Sequence, residues 1–182
     1  YIPAPLSLFK GVEKLPAAHF MIFPFEKPSD ALPRLYWKPE PLHELNPEET
    51  LKEAVQLRLN SDRQVGLFLS GGVDSQTIAS ILQGRSFLNA FTASFDEDEW
   101  DESEIARIFA KKCGLMHSVL SVRMDPNDLK SIIDDLDEPF ADPSAIPTWY
   151  LCKAATMHVK VALTGDGGDE LSAGYDLIKK EP

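Results

Sequence analysis

Val65-Gly66-Leu67-Phe68-Leu69-Ser70-Gly71-Gly72-Val73-Asp74-Ser75 decides the fold of this chain. Its first five residues, mostly apolar, predict a buried strand. A glycine-rich turn follows, and Gln76 to Gln83 predicts a helix that Gly84 ends. A strand, a Gly-Gly turn and a helix start together make an anion site. The helix N-terminus offers unpaired N–H groups and a dipole worth roughly half a positive charge. Paired glycines let the backbone curl closely around a phosphate. Ser70 and Ser75 add hydroxyl donors, and Asp74 is a candidate metal ligand.

Three other loops of this general kind are excluded. A Walker A loop needs Gly-Lys-Ser/Thr, and no Lys stands here. The dinucleotide spacing G-x-G-x-x-G is absent. A nucleophile elbow needs Gly two residues before its Ser, and position 68 is Phe. What remains resembles the SGGxDS loop of the PP-loop ATP pyrophosphatases. That family cleaves ATP between its α and β phosphates and holds the departing pyrophosphate in this loop.

At 182 residues the chain is long enough for one α/β domain with a core, and 43% hydrophobic and 26% charged residues are globular values. A net charge of −11 argues against a nucleic-acid surface, whose affinity comes from Lys and Arg, but not against ATP arriving with Mg²⁺. No apolar run approaches the roughly 18 residues of a membrane span, and no signal-peptide pattern opens the chain. Cys113 and Cys152 lie far apart on apolar helix faces. They predict two buried free thiols in a reducing compartment, hence a cytoplasmic location.

Residues 1–41 differ from the rest, holding eight of the 14 prolines. Such density excludes long helices and favours extended segments, with His19 to Phe25 and Leu35 to Trp37 as short strands. A segment this small cannot build its own core. From 42 to 182 strands and helices alternate. Asn46-Pro47-Glu48-Glu49 starts a helix with an apolar stripe of Leu51, Val55 and Leu59. Ala90 to Phe95 is the second strand. The acidic run Asp96 to Glu102 has the acid spacing of a calcium loop but lacks its central Gly, and reads as a solvated loop capping the next helix. That helix, Glu102 to Cys113, carries Ile105, Ile108 and Phe109 on one face and ends at Gly114. Met116 to Val122 is the third strand. Asp125-Pro126 starts a helix with Leu129, Ile132, Ile133 and Leu136 as its apolar face. Three prolines interrupt 137–148, a helix resumes near Thr148, and Val159 to Thr164 is the fourth strand. The four histidines lack metal spacing, and Trp37, Trp100 and Trp149 read as packing residues.

This alternation predicts an α/β fold with a parallel sheet, whose ligands bind beyond the carboxyl ends of the strands near the switch in strand order. The loops at 70–75 and 165–170 both follow strands, so both lie on that edge. Gly165-Asp166-Gly167-Gly168-Asp169-Glu170 crowds three carboxylates that a cation would reconcile. Asp74 and Asp169 are the expected pair to grip one Mg²⁺ that also bridges phosphate oxygens.

Four motifs in register resemble the glutamine-hydrolysing asparagine synthetase family. Gly165 to Glu170 with Gly174-Tyr175 is similar to its GEGxDE…GGY segment, and Asp137 to Thr148 to its DEPFADPSAIPT stretch. Leu51 to Ser75 resembles its L-x-x-A-V-x-x-R-L…L-S-G-G-x-D-S run, and Ile2 to His19 the KLPPGH tail of its glutaminase domain. The resemblance implies a PP-loop (adenine nucleotide α-hydrolase-like) domain over 42–182, and a glutaminase tail plus linker over 1–41. It implies ATP-dependent amide formation: an aspartate or related carboxylate becomes an acyl-adenylate, pyrophosphate leaves, and ammonia from a glutaminase domain displaces AMP. By the same resemblance Ser70, Gly71, Gly72 and Ser75 hold pyrophosphate, Asp74 and Asp169 hold Mg²⁺, and Leu69, Ser94 and Gly165 contact the adenosine. Asp166 takes the place of a Glu proposed to accept a proton from ammonia, one methylene shorter. A homodimer is compatible with this reading; nucleic-acid and membrane partners are not expected.

The departures are Ala17-Ala18 for Pro-Gly, Ser172-Ala173 for Phe-Gly, and Pro143 near the place of an acceptor-binding Arg. No Cys stands near Tyr1 to serve as the glutaminase nucleophile, and the family's phosphate-binding lysines lie beyond Gly174-Tyr175. The expectation is a piece of a longer enzyme that alone binds ATP at most. The alternatives are a related amidotransferase acting on another carboxylate, and a non-catalytic domain.

Overall fold

The computed structural model describes residues 2–40, 45–95, 101–136 and 138–175. His43, Asp96 to Trp100 and Asp137 lie outside the described residues. The chain divides into two compact units, Tyr1–Leu45 with Leu129–Pro143, and Asn46–Asp128 with Ser144–Pro182. The sequence division at 41/42 puts 129–143 with the larger part, whereas the structure groups it with the N-terminal segment. Pro126 before it and Pro143 at its end both interrupt helical continuity, so the chain can leave the larger unit and return.

In the N-terminal unit β1 (His19–Phe20) and β2 (Arg34–Leu35) pair antiparallel, His19 opposite Leu35. Both strands are shorter than the sequence suggests, because prolines on either side withhold ladder donors. Lys14 Nζ pairs with Glu138 at 2.7 Å within this unit. Of its described residues only Ile132, on α4 (Leu129–Asp135), is buried; Leu129 and Ile133 of the expected apolar face are exposed. Trp37 is 60% exposed, so the packing role expected of it is not seen.

The larger unit is built on four parallel strands: β3 (Val65–Phe68), β4 (Asn89–Phe95), β5 (Met116–Val122) and β6 (Val161–Leu163). Their order is β5-β4-β3-β6, with all pairs parallel. The chain thus steps outward from β3 through β4 to β5, then returns to add β6 on the other side of β3. The reversal in strand order falls between β3 and β6, and the loops after those strands are the two glycine-rich ones.

Alternation along the strands feeds two cores. Leu67, Leu69 and Ala90 face a cluster with Val55 of α1 (Pro47–Arg58), Ala79 of α2 (Val73–Ile81), and Ala106, Ala110 and Cys113 of α3 (Ser103–Cys113). Phe91 faces the other way, against Ala155 of α5 (Ala145–Ala155) and Val159. Helices therefore cover both faces, as a parallel sheet requires. Asn46 caps α1, its side chain accepting from the Glu48 N–H at 3.0 Å, and Gly114 ends α3 at φ 67°.

Several sequence expectations need correction. Helix α2 starts at Val73, three residues early, so Asp74 and Ser75 stand in its first turn. Helix α5 starts at Ala145, since Pro147 is tolerated within a first turn. Helix α3 buries Ala106, Ala110 and Cys113 and leaves Ile105 and Ile108 more than half exposed. Small residues at helical spacing let it lie close to the sheet, a stripe that the larger side chains hide in the sequence. Cys113 is a buried free thiol, raised in pKa by burial, but Cys152 is exposed. No helix among the described residues is long and apolar enough to cross a membrane.

The two alanines that replace family glycines both sit in the left-handed region, Ala18 at φ 58° and Ala173 at φ 55°. An L-residue held there costs about 1–2 kcal/mol, part of which glycine gives back through its freer unfolded chain. Ala173→Gly is expected to raise stability by about 0.5–1 kcal/mol, read as a higher urea midpoint at unchanged slope.

Candidate functional site

The site is assembled at the carboxyl edge of the sheet from the loops that follow β3, β4 and β6. After Phe68 the chain stays tied to β4 through Leu69 N–H, which donates to Phe91 O at 2.9 Å. The turn then closes on its own serines. Ser70 N–H donates to Ser75 Oγ at 3.1 Å, Gly72 N–H donates to Ser70 Oγ at 3.1 Å, and the two hydroxyls are 3.0 Å apart. Ser75 is buried by this arrangement. Gln76 Nε2 donates to Gly71 O at 3.0 Å and pins the other side. No side chain caps α2, so its first-turn N–H groups are left for an anion.

The loop after β6 packs onto this helix start. A Cβ on Gly165 would lie 2.9 Å from both Asp74 Cβ and the Ser75 backbone N. A Cβ on Gly168 would lie 2.5 Å from Asp74 Oδ1. Glycine at 165 lets the loop approach the Ser75 backbone, and glycine at 168 lets it lie against the Asp74 side chain. Gly167, at φ 89°, makes the turn into α6 (Gly168–Ser172). Asp74 therefore lies directly against the residue that precedes Asp169. The Asp169 side chain itself abuts Gly174, where any Cβ would fall 1.8 Å from Asp169 Oδ1. That is the physical reason for glycine at position 174. Glu170 accepts from Tyr175 Oη at 2.6 Å, which holds its carboxyl below the usual range.

Among the described residues no three His, Cys, Asp or Glu side chains converge on one point. Asp74 and Asp169, one from each loop, are hard oxygen donors of the type Mg²⁺ takes. Mg²⁺ keeps water and substrate phosphate and takes one or two carboxylates. The Asp74 carboxylate packs directly on Gly168, the residue before Asp169, and that proximity is the observation in favour. Asp166 is exposed, and its Oδ2 accepts from Thr164 Oγ1 at 2.9 Å, so its carboxylate is held at the end of β6.

Ser94, at the end of β4, donates to Asp101 Oδ2 at 2.8 Å. Asp101 Oδ1 accepts from Ser103 N–H at 2.8 Å, and the bonds from Ser103 and Ser94 hold this carboxyl below its usual range. Glu102 Oε2 accepts from Gly71 N–H at 2.9 Å. Asp101, one residue before the N-cap, accepts only from the first N–H of α3, and the helix has no side-chain cap. Together with Glu102, however, it also reaches back to the site, which sequence reasoning missed. The missed signal was position: two acids following the carboxyl end of the strand beside β3.

A second hydrogen-bonded chain runs beneath the loop. Thr92 Oγ1 donates to Leu69 O at 2.6 Å, and His117 Nε2 lies 2.9 Å from the same hydroxyl. Because the threonine proton goes to Leu69, His117 must donate, which fixes its Nε2–H tautomer. Burial, then the charge of Arg107, pushes the imidazole below its ordinary pKa. Leu69, Ser70, Gly71, Gly72, Asp74, Ser75 and Gly165 thus form one cluster with Gly168 and Glu102. Ser94 joins it through Asp101, and Asp166 and Asp169 follow on the β6 loop.

The asparagine synthase family model matches residues 46–182. An asparagine synthetase (glutamine-hydrolysing) of Bacillus subtilis is 33% identical over 193 residues, 99% of this chain and 30% of the relative. A putative asparagine synthetase of Methanocaldococcus jannaschii is 32% identical over 206 residues, 100% of this chain and 39% of the relative. Amidase chyE of Penicillium rubens is 32% identical over 208 residues, 96% of this chain and 30% of the relative. The chain thus spans less than two-fifths of the length of these relatives. A solved glutamine-dependent NAD+ synthetase of Acinetobacter baumannii superposes with a TM-score of 0.48 at 19% identity, covering 75% of this chain and 29% of that one.

The two loop glycines respond differently to a methyl group. At Gly165 the new Cβ meets the Ser75 backbone, which cannot move without moving α2. At Gly168 it meets the Asp74 side chain, whose carboxylate can turn away, and alanine favours the helix there. Gly165→Ala is expected to lower stability by about 1–3 kcal/mol and Gly168→Ala by well under that, measured as urea-denaturation free energies.

Proposed function

Because this chain belongs to the asparagine synthase family, we propose that its paired loops are the ATP site of an ATP-dependent amide ligase. The observation that carries this reading is the contact of Gly165 and Gly168 with Asp74 and Ser75, which makes one site of two loops at the strand-order switch. The free N–H groups at the start of α2, with Ser70, Gly71, Gly72 and Ser75, receive the β and γ phosphates. Leu69, Ser94 and Gly165, at strand ends, border the adenosine. Mg²⁺ held by Asp74 and Asp169 would neutralise phosphate charge.

A carboxylate is inert to ammonia until one of its oxygens becomes part of a leaving group. In the proposed reaction a substrate carboxylate oxygen attacks the α-phosphorus, and the bond to the β-phosphate oxygen breaks. Pyrophosphate departs in the β3 loop, whose donors are already in place as charge develops. Ammonia nitrogen then attacks the acyl carbon, AMP leaves, and the extra proton on nitrogen passes to a base. Asp166, exposed at the end of β6 and held by Thr164, is the proposed base. Its carboxylate has a shorter reach than glutamate.

The acceptor is aspartate by family. Relatives named as amidases match the same stretch, so another carboxylic acid is the specific second reading. Ammonia would come from a glutaminase domain. ATP binding is the part of this activity assigned to the residues of the two loops.

Calorimetric titration of the chain with MgATP is expected to show binding. Asp74→Ala should weaken it by roughly 10–100-fold, the equivalent of about 1.5–3 kcal/mol for a charged contact. Exchange of labelled pyrophosphate into ATP, with a panel of carboxylic acids and any longer natural form containing this chain, identifies the acceptor. Exchange that depends on aspartate supports the asparagine reading, and exchange with another acid replaces the substrate but keeps the mechanism. Absence of both MgATP binding and exchange would contradict the proposal.

A further inference from the structure

The loop that should receive pyrophosphate already holds an anion. Gly71 N–H, the central donor of the glycine pair, points at Glu102 Oε2 at 2.9 Å. The carboxylate is pressed onto the glycine: a Cβ on Gly71 would fall 3.2 Å from both Glu102 Cδ and Oε1. The neighbouring donors are satisfied inside the loop, Ser70 N–H by Ser75 Oγ and Gly72 N–H by Ser70 Oγ. Glu102 is thus the external acceptor on the turn.

Its side chain has no other task in the described structure. Glu102 precedes α3 but makes no side-chain cap, and its backbone carbonyl alone accepts from Ala106 N–H. Asp101, the preceding residue, is anchored by Ser94 and Ser103, which keeps the Glu102 backbone beside the loop while its carboxylate stays exposed to solvent. A carboxylate and a phosphate ask the same thing of an N–H group, and two anions cannot share one donor.

We propose that Glu102 is an internal competitor for the pyrophosphate place and so sets the affinity of the loop for polyphosphate groups. The inference rests on the reading of this loop as a pyrophosphate site. When a polyphosphate enters, Glu102 must turn out into solvent, and Gly71 exchanges a carboxylate oxygen for a phosphate oxygen. The competition weighs on charged ligands and leaves the nucleoside alone unaffected. It also weakens as salt screens the two anions.

The test is calorimetric titration of the chain and its Glu102→Ala and Glu102→Gln variants with inorganic pyrophosphate in the presence of Mg²⁺ and, separately, adenosine. Glu102→Ala is expected to bind pyrophosphate about fivefold more tightly than wild type, the ratio for two like charges about 4 Å apart in water. The gain should shrink as salt is raised. Glu102→Gln keeps an acceptor for Gly71 but loses the charge, and should fall between the two. Adenosine affinity should not change. Damage to the fold lowers affinity, so a gain cannot arise that way. Equal or weaker pyrophosphate binding by both variants, with wild type binding, would overturn the inference and leave the site standing. Failure of all three proteins to bind pyrophosphate would overturn the site reading and the inference with it.

Discussion

The larger unit depends on the close approach of two loops that a single methyl group would keep apart. Gly165 and Gly168 bring the β6 loop onto the first turn of α2, within contact of the Ser75 amide and the Asp74 carboxylate. Everything else at the edge follows from it. The sheet order places β6 beside β3, and the strands end at the level where their loops can meet. Without that contact there would be a helix start on one side and an isolated acidic turn on the other.

The charge pattern of this edge is unusual for a phosphate site. The chain carries −11, and no Lys or Arg stands in either loop. Positive potential comes instead from backbone: the uncapped start of α2 and the N–H groups of the glycine turn. Acids surround it, with Asp74 and Asp169 from the loops and Glu102 from the element after β4. On the proposed reading, such a site favours a ligand that brings its own cation, as a nucleotide with Mg²⁺ does, over a bare anion. One of the backbone donors proposed for a phosphate, Gly71 N–H, donates to Glu102.

Much of this was legible in the sequence. The apolar run at Val65, the Gly-Gly turn and the helix after it announce a βα unit, and Met116 to Val122 has the bounds read for it. The position of both glycine loops on one edge followed from alternation alone. Legibility failed where small residues do the packing. Ala106 and Ala110 carry the buried stripe of α3 because they are small, and hydrophobicity reads Ile105 and Ile108 first. It failed also where one side chain serves a distant backbone. Nothing local in Asp101-Glu102 tells that one restrains Ser94 and the other covers Gly71; only the β4–β3 pairing brings them there. The need for glycine at 168 and 174 is likewise tertiary, set by Asp74 and Asp169 rather than by a turn type.

The most direct measurement is an amide proton–nitrogen NMR map of the chain titrated with a Mg²⁺ complex of an ATP analogue whose α–β bridge is methylene. If the two loops form one site, the amides of Gly71 to Ser75 and of Gly165 to Asp169 shift together, with one dissociation constant. Shifts confined to one loop, two different constants, or no shift in either would contradict it.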